Sequence, residues 1–155
     1  MSPILAVDIA ADGRWIAISG IETGDIVKRK ISVFAYLPYD NTYQEIQSFS
    51  GEGSGAYAVA ISDNHEWLLW GEGDKTSSVR IYRYNGSTFN SHQNLSLSGA
   101  ISSLDLTDDA VYLAIGIVSF EIAIYQFNGS SYEPFQKIDF GGSDLGRRVS
   151  ITGNG

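Results

Sequence analysis

Hydrophobic and polar positions along this chain fall into short alternating runs separated by turn residues, and the runs recur in one order. Residues 5–9 alternate apolar with smaller or polar positions, Ala11-Asp12-Gly13 makes a turn, and 15–18 resume an apolar run. That is a β-hairpin. A polar stretch, 20–30, holds the turn signal Gly24-Asp25 and the basic triplet Lys28-Arg29-Lys30. Then 31–36 alternate with period two, predicting a third strand, and 43–49 predict a fourth, outermost one.

The order then repeats. Residues 57–62, a turn at Asp63-Asn64, 66–70, a loop at 72–77 and 79–84 form a second unit, in which Asn85-Gly86 is a strong hairpin signal because both residues tolerate positive φ. The alternation in 79–84 points its arginines outward. A third unit runs through 101–106, the turn Thr107-Asp108-Asp109, 111–115 and 122–127 to a matching Asn128-Gly129. Aligning the copies puts Trp15, Trp67 and Tyr112 at one repeat position, and a fourth copy opens at Val149-Ser150-Ile151-Thr152-Gly153-Asn154-Gly155. Small residues at Gly53-Ser54-Gly55, Ser98-Gly99 and Gly141-Gly142 fall between units, where the chain crosses from an outer strand to the next inner one.

A unit of about 45 residues with four short strands is the pattern of a β-propeller blade, whose sheet buries both faces against its neighbours. The expected fold is therefore all-β: blade 1 at about 4–50, blade 2 at about 56–97, blade 3 at about 100–140 and the start of blade 4 at about 145–155. A β-sandwich would account for alternating strands but gives no reason for in-register copies. Because a closed ring needs at least four blades, the expectation is that the chain continues past Gly155 or that identical chains complete the ring.

Residues 142–155 resemble the start of an FG-GAP-type repeat, the blade of integrin-α-like propellers, with Leu145 in place of the Phe; Val59 to Asn64 is similar in strand and turn but lacks the preceding Phe-Gly. The runs Trp-Ile-Ala-Ile and Val-Arg-Ile-Tyr-Arg-Tyr resemble the middle strands of WD40 blades, though no Gly-His opens a unit and no Trp-Asp closes one. Both resemblances imply binding through blade-connecting loops, without catalysis.

Composition narrows the chemistry. Among 155 residues, 18 acidic against 10 basic give a net charge of −8, which disfavours phosphate backbones and anionic lipid. With no Cys and two His, neither a thiolate zinc site nor a multi-His centre can form within one chain. His65 is assigned to a hairpin turn and His92 to a polar loop. Asp8, Asp12 and Gly13 are spaced too widely for a calcium loop, Asp105 to Asp109 fit turn chemistry, Asp108 and Asp109 are expected to diverge, and Glu72, Gly73 and Asp74 read as a small solvated acidic loop.

No catalytic, cofactor or metal residue is therefore assigned, and no nucleophile elbow or phosphate loop is present. Sequons at Asn85, Asn94 and Asn128 are possible glycan acceptors, two of them explained equally by Asn-Gly turns. They leave a surface and a cytoplasmic location equally open. The function expected is a non-enzymatic scaffold binding a protein partner through its blade loops, or associating with itself to complete the propeller, with no nucleic-acid or membrane partner. The alternatives are a sugar-binding propeller, which would need exposed Trp15, Trp67 and Trp70, and the non-catalytic propeller of a larger enzyme.

Overall fold

A computed structural model describes residues 3–22, 28–52, 56–72, 77–118, 121–141 and 148–153. These contain twelve strands in three antiparallel four-stranded sheets, each a simple meander. Sheet 1 holds β1 (Ile4–Ile9), β2 (Trp15–Glu22), β3 (Lys28–Leu37) and β4 (Thr42–Glu52). Sheet 2 holds β5 (Ala56–Ile61), β6 (Trp67–Glu72), β7 (Ser78–Tyr84) and β8 (Phe89–Ser96). Sheet 3 holds β9 (Ile101–Leu106), β10 (Tyr112–Ile117), β11 (Glu121–Phe127) and β12 (Tyr132–Asp139).

Backbone register fixes the equivalence of the sheets residue by residue. Trp15 lies opposite Ala35, Trp67 opposite Arg83 and Tyr112 opposite Gln126. Each outer pair then breaks register at one matching place, after Val33, Ile81 and Ile124, so that Ile46, His92 and Phe135 are extra residues in their strands. Such a bulge bends an edge strand and re-aims the side chains beside it.

Strand β6 shows why the apolar runs are continuous where a one-sided sheet would alternate. All six of its residues are buried. Trp67 and Leu69 join a core shared with sheet 3, whereas Leu68 and Trp70 join a core shared with sheet 1. A sheet stacked on both faces needs apolar groups at both parities. Gly71 is set by the same stacking, since a Cβ there would run into the Ile101 side chain of sheet 3.

The first hairpin of each sheet turns on a left-handed residue at one repeat position, Gly13 (φ 69°), His65 (60°) and Ala110 (55°). In sheets 2 and 3 a hydroxyl closes that turn: Ser62 Oγ accepts from Trp67 N and donates to Asn64 Oδ1, and Thr107 Oγ1 does the same with Tyr112 N and Asp109 Oδ1.

Three sequence expectations change here. Strand β2 continues to Glu22 and β3 begins at Lys28, so the Lys28-Arg29-Lys30 triplet is ladder, paired with Glu22, Ile21 and Gly20; backbone pairing extends beyond the apolar stretch. His92 lies within β8, where an edge strand tolerates polar residues, and not in a loop. Arg80 is only partly exposed: it pairs with Glu72 on the face of sheet 2 that packs against sheet 1, because that face is also a packing face. Gly53-Ser54-Gly55 and Gly142 lie outside the described residues, as do 145–147, 154 and 155 of the expected fourth unit. Residues 148–153 carry no strand assignment but lie along β9, where Val149 N donates to Ser103 Oγ (2.9 Å) and Ile151 N to Asp105 Oδ2 (2.7 Å).

Candidate functional site: the seams and flanks of the sheets

The chemistry of the molecule is concentrated where one sheet meets the next. At each seam the earlier sheet sends an aromatic anchor into the later one. Trp15 packs edge-on to Tyr84 and Phe89 and stacks on His65; Trp67 packs edge-on to Phe127 and Tyr132. Beside the anchor sits an amide clamp. Gln47 Oε1 accepts from Phe89 N (2.7 Å) while its Nε2 donates to Phe89 O (3.0 Å), and Gln93 treats Tyr132 alike at 2.8 and 2.9 Å. Each clamp follows immediately on a bulge residue, Ile46 or His92, which turns the glutamine sideways across the seam.

A third bond joins the inner strands. Asp8 Oδ2 accepts from Ile61 N of the next sheet (2.8 Å) and Oδ1 from Ile9 N (2.9 Å); Asp105 repeats this with Ile151 and Leu106. Burial pushes the Asp8 carboxyl above its usual range against the pull of the Ile61 and Ile9 bonds, and the Asp105 and Asp63 charges add to the push.

Sheets 3 and 1 carry equivalents of these seam residues. On sheet 3, Tyr112 occupies the anchor position, touching only Phe135 of its own sheet among ring contacts of the described residues, and Gln136 follows the bulge residue Phe135. Gln136 is exposed, and its amide meets no partner among the described residues. On sheet 1, Tyr36 and Tyr43 form the receiving aromatic pair, with centroids 5.4 Å apart, against 5.1 Å for Tyr84 and Phe89 and 5.2 Å for Phe127 and Tyr132. Ile4, Val7 and Ile9 are exposed on that same flank, and Phe135 on the other.

No family profile and no curated protein matches this sequence. Solved structures do. A 6-phosphogluconolactonase-like protein from Bacteroides fragilis superposes with a TM-score of 0.72 at 15% identity, over 94% of this chain and 40% of that one. Sqt1 from Saccharomyces cerevisiae gives 0.67 at 13% identity, over 88% and 35%. Sqt1 from Chaetomium thermophilum bound to the N-terminus of the ribosomal protein L10 gives 0.70 at 15%, over 90% and 38%. The three sheets are blades of an incomplete β-propeller. This chain spans 35 to 40% of the length of the structures it matches.

Around the hub, the inner strands β1, β5 and β9 of the propeller blades frame a cavity of about 380 Å³, walled by Leu5, Val7, Tyr57, Val59, Leu104 and Val149. Among the described residues no group of three His, Cys, Asp or Glu is placed to hold a metal. Asp12 and Asp109 serve their own turns, and their carboxyls are held below the usual range, Asp12 chiefly by the Arg14 backbone N–H and Asp109 chiefly by the Thr107 hydroxyl. His65 Nε2 lies 3.0 Å from Asp12, and His92 Nε2 is 2.9 Å from Ser130 O.

The sequon residues Asn85, Asn94 and Asn128 are all exposed. Asn85 Oδ1 accepts from Ser87 N and Thr88 N, and Asn128 Oδ1 from Ser130 N and Ser131 N, so both hold their hairpin turns. Trp67 and Trp70 are buried, which removes them as a sugar platform.

One residue departs from its expected role. Glu72 is no solvated loop residue: it ends β6 with 1% exposure, because Arg29 of blade 1 and Arg80 of blade 2 both converge on its Oε1, at 3.0 and 2.5 Å, and Ser78 Oγ donates to Oε2. Gly73 and Asp74 lie outside the described residues. Desolvation works to raise the Glu72 carboxyl, but the Arg80 and Ser78 bonds and the Arg29 charge overcome it and hold it below the usual range. The sequence contained the signal, two arginines and a glutamate at strand ends, but not the stacking that brings them together.

Proposed function

We propose that this chain is a non-enzymatic propeller scaffold that binds protein, and that its open flanks are binding surfaces in their own right. The observation that carries this reading is the half-seam on blade 3. An anchor and a clamp that engage a neighbour at both internal seams recur in Tyr112 and Gln136, which meet no neighbouring blade among the described residues. The fitting partner offers an aromatic pair and the free backbone N–H and C=O of the residue leading an outer strand. Blade 1 of a second copy offers this in Tyr36 and Tyr43. Such a copy would displace residues 148–153, which are held to blade 3 through Val149 and Ile151.

Partner binding through the turns is the second part of the same scaffold role. The first hairpin turns of the three blades carry Asp12, Asp63, Asp108 and Asp109, with Glu66 paired to Arg83 beside the turn of blade 2, a set of acidic groups that favours a basic segment. Sqt1, of which this chain matches 38%, is bound to the N-terminus of the ribosomal protein L10, which supports a protein-binding reading at the level of fold.

Two variants test the flank by complementation. One, Tyr112→Arg with Gln136→Arg, blocks the blade 3 flank; the other, Tyr36→Arg with Tyr43→Arg, blocks the blade 1 flank. Light scattering should show concentration-dependent association of the wild type, monomers for either variant alone, and a 1:1 dimer on mixing them. A wild type that stays monomeric, or variants that fail to complement, would overturn the flank reading.

A further inference from the structure

The seam between blades 1 and 2 contains a group of residues that propeller stacking does not require. Arg29, Glu72 and Arg80 meet there beside Trp70, Tyr82 and Phe49, around a niche of about 340 Å³ open to solvent. Register identifies what stands at the same positions one seam on: Ser77 for Arg29, Ile117 for Glu72, Ala123 for Arg80, Ile115 for Trp70 and Leu95 for Phe49. There Ile115, Ile117, Ala123 and Leu95 are buried in an ordinary apolar core. The fold therefore closes this part of a seam with aliphatic groups, and a buried charge cluster confers no stability over such packing as a rule.

The cluster is built as a receptor for negative charge. Glu72 is held ionised and tethers two guanidiniums by a single oxygen, which fixes both cations side by side at the niche wall. Each guanidinium has five N–H donors in a rigid fork, and one carboxylate cannot use them all. Among the described residues lining the niche, no second carboxylate offsets the second arginine. The remaining wall is aromatic: Trp70 and Tyr82 stack at 4.4 Å, with Phe49 4.8 Å from Tyr82 and 5.0 Å from Trp70. Trp70 Nε1, buried at this wall, has no hydrogen-bond partner among the described residues, a rare state for a buried N–H.

We infer that this niche is a binding site for a small oxyanion, a carboxylate or a phosphate, gripped by Arg29 and Arg80 over the Trp70–Tyr82 stack. In a chain of net charge −8 the site has to be local, because the overall field repels anions. Glu72 acts as a positioning residue that orients the two arginines and makes no contact with the ligand.

The test is an NMR titration of the wild-type chain with two probes, sodium acetate and inorganic phosphate, at constant ionic strength against sodium chloride. The Trp70 indole N–H resonance, assigned by its loss in Trp70→Phe, is the readout. A saturable shift with either probe, absent with chloride, is expected; the stronger probe distinguishes a carboxylate site from a phosphate site. Arg80→Gln, at a partly exposed position, should weaken binding at least tenfold with an unchanged circular dichroism spectrum, and Arg29→Gln should do the same. Arg83→Gln, on the turn face, should change nothing. No saturable shift with either probe, an equal shift with chloride, or full binding in Arg80→Gln would overturn the assignment. None of these readouts depends on the state of association, so this site and the flank reading can fail independently.

Discussion

Gln93 and Gln136 are the same residue at the same repeat position, one with a partner and one without, which separates what a side chain contributes from what its position demands. Gln93→Ala strands the backbone N–H and C=O of Tyr132 at a part-buried seam, and should cost about 1–3 kcal/mol in urea unfolding. Gln136→Ala should stay within about 0.5 kcal/mol of wild type in the unassociated chain, as surface changes do. Two carboxyls respond to pH in opposite directions. Glu72 titrates below its ordinary 4.5 when folded, so its contribution is complete above that value and is lost as pH falls through the folded one. Asp8 titrates above its ordinary 3.8, so its contribution is present at low pH and is lost as pH rises through the folded value. Asp8→Asn keeps the acceptor for Ile61 N and cannot ionise; its stability relative to wild type should therefore increase as pH rises from below 3.8 through the raised folded value, as read by denaturant unfolding at each pH.

At the scale of strands and turns, close approach and backbone sign set the tolerances. Gly71→Ala pushes a methyl into Ile101 across the seam and should destabilise by about 1–3 kcal/mol, the usual cost of overpacking. Ala110 is an alanine at φ 55°, where its repeat equivalent in blade 1 is Gly13. Ala110→Gly relieves that conformation and should raise the thermal midpoint, equivalent to about 0.5–1 kcal/mol.

The strands themselves were legible because period-two alternation and Asn-Gly turns are local signals, and the spacing of Trp15, Trp67 and Tyr112 showed that the units were copies. What the sequence concealed is whatever crosses a seam. The recurrence of an aromatic four residues before a glutamine, in Tyr43 to Gln47, Phe89 to Gln93 and Tyr132 to Gln136, was visible as spacing. Its meaning depended on bulges at Ile46, His92 and Phe135 that no propensity announces. Glu72 was misread for the same reason: beside Gly73 it has the composition of a loop, and only the guanidiniums of two different blades make it a core residue.

In the whole molecule, anchor and clamp always reach from the earlier blade to the later one. Among the described residues blade 2 is both gripped and gripping, so native-state hydrogen exchange should be slowest in β6, whose residues are all buried, and faster along β1 and β12, which are the more exposed strands. The contacts that secure each seam, an aromatic ring, a glutamine amide and an inner-strand bond, leave the positions of Arg29, Glu72 and Arg80 uncommitted. Those positions hold charge in one gap and hydrocarbon in the other without changing how the sheets stack. A wheel fastened in this manner has spare pigeonholes between its spokes, and each can acquire a separate recognition task while its neighbours keep theirs.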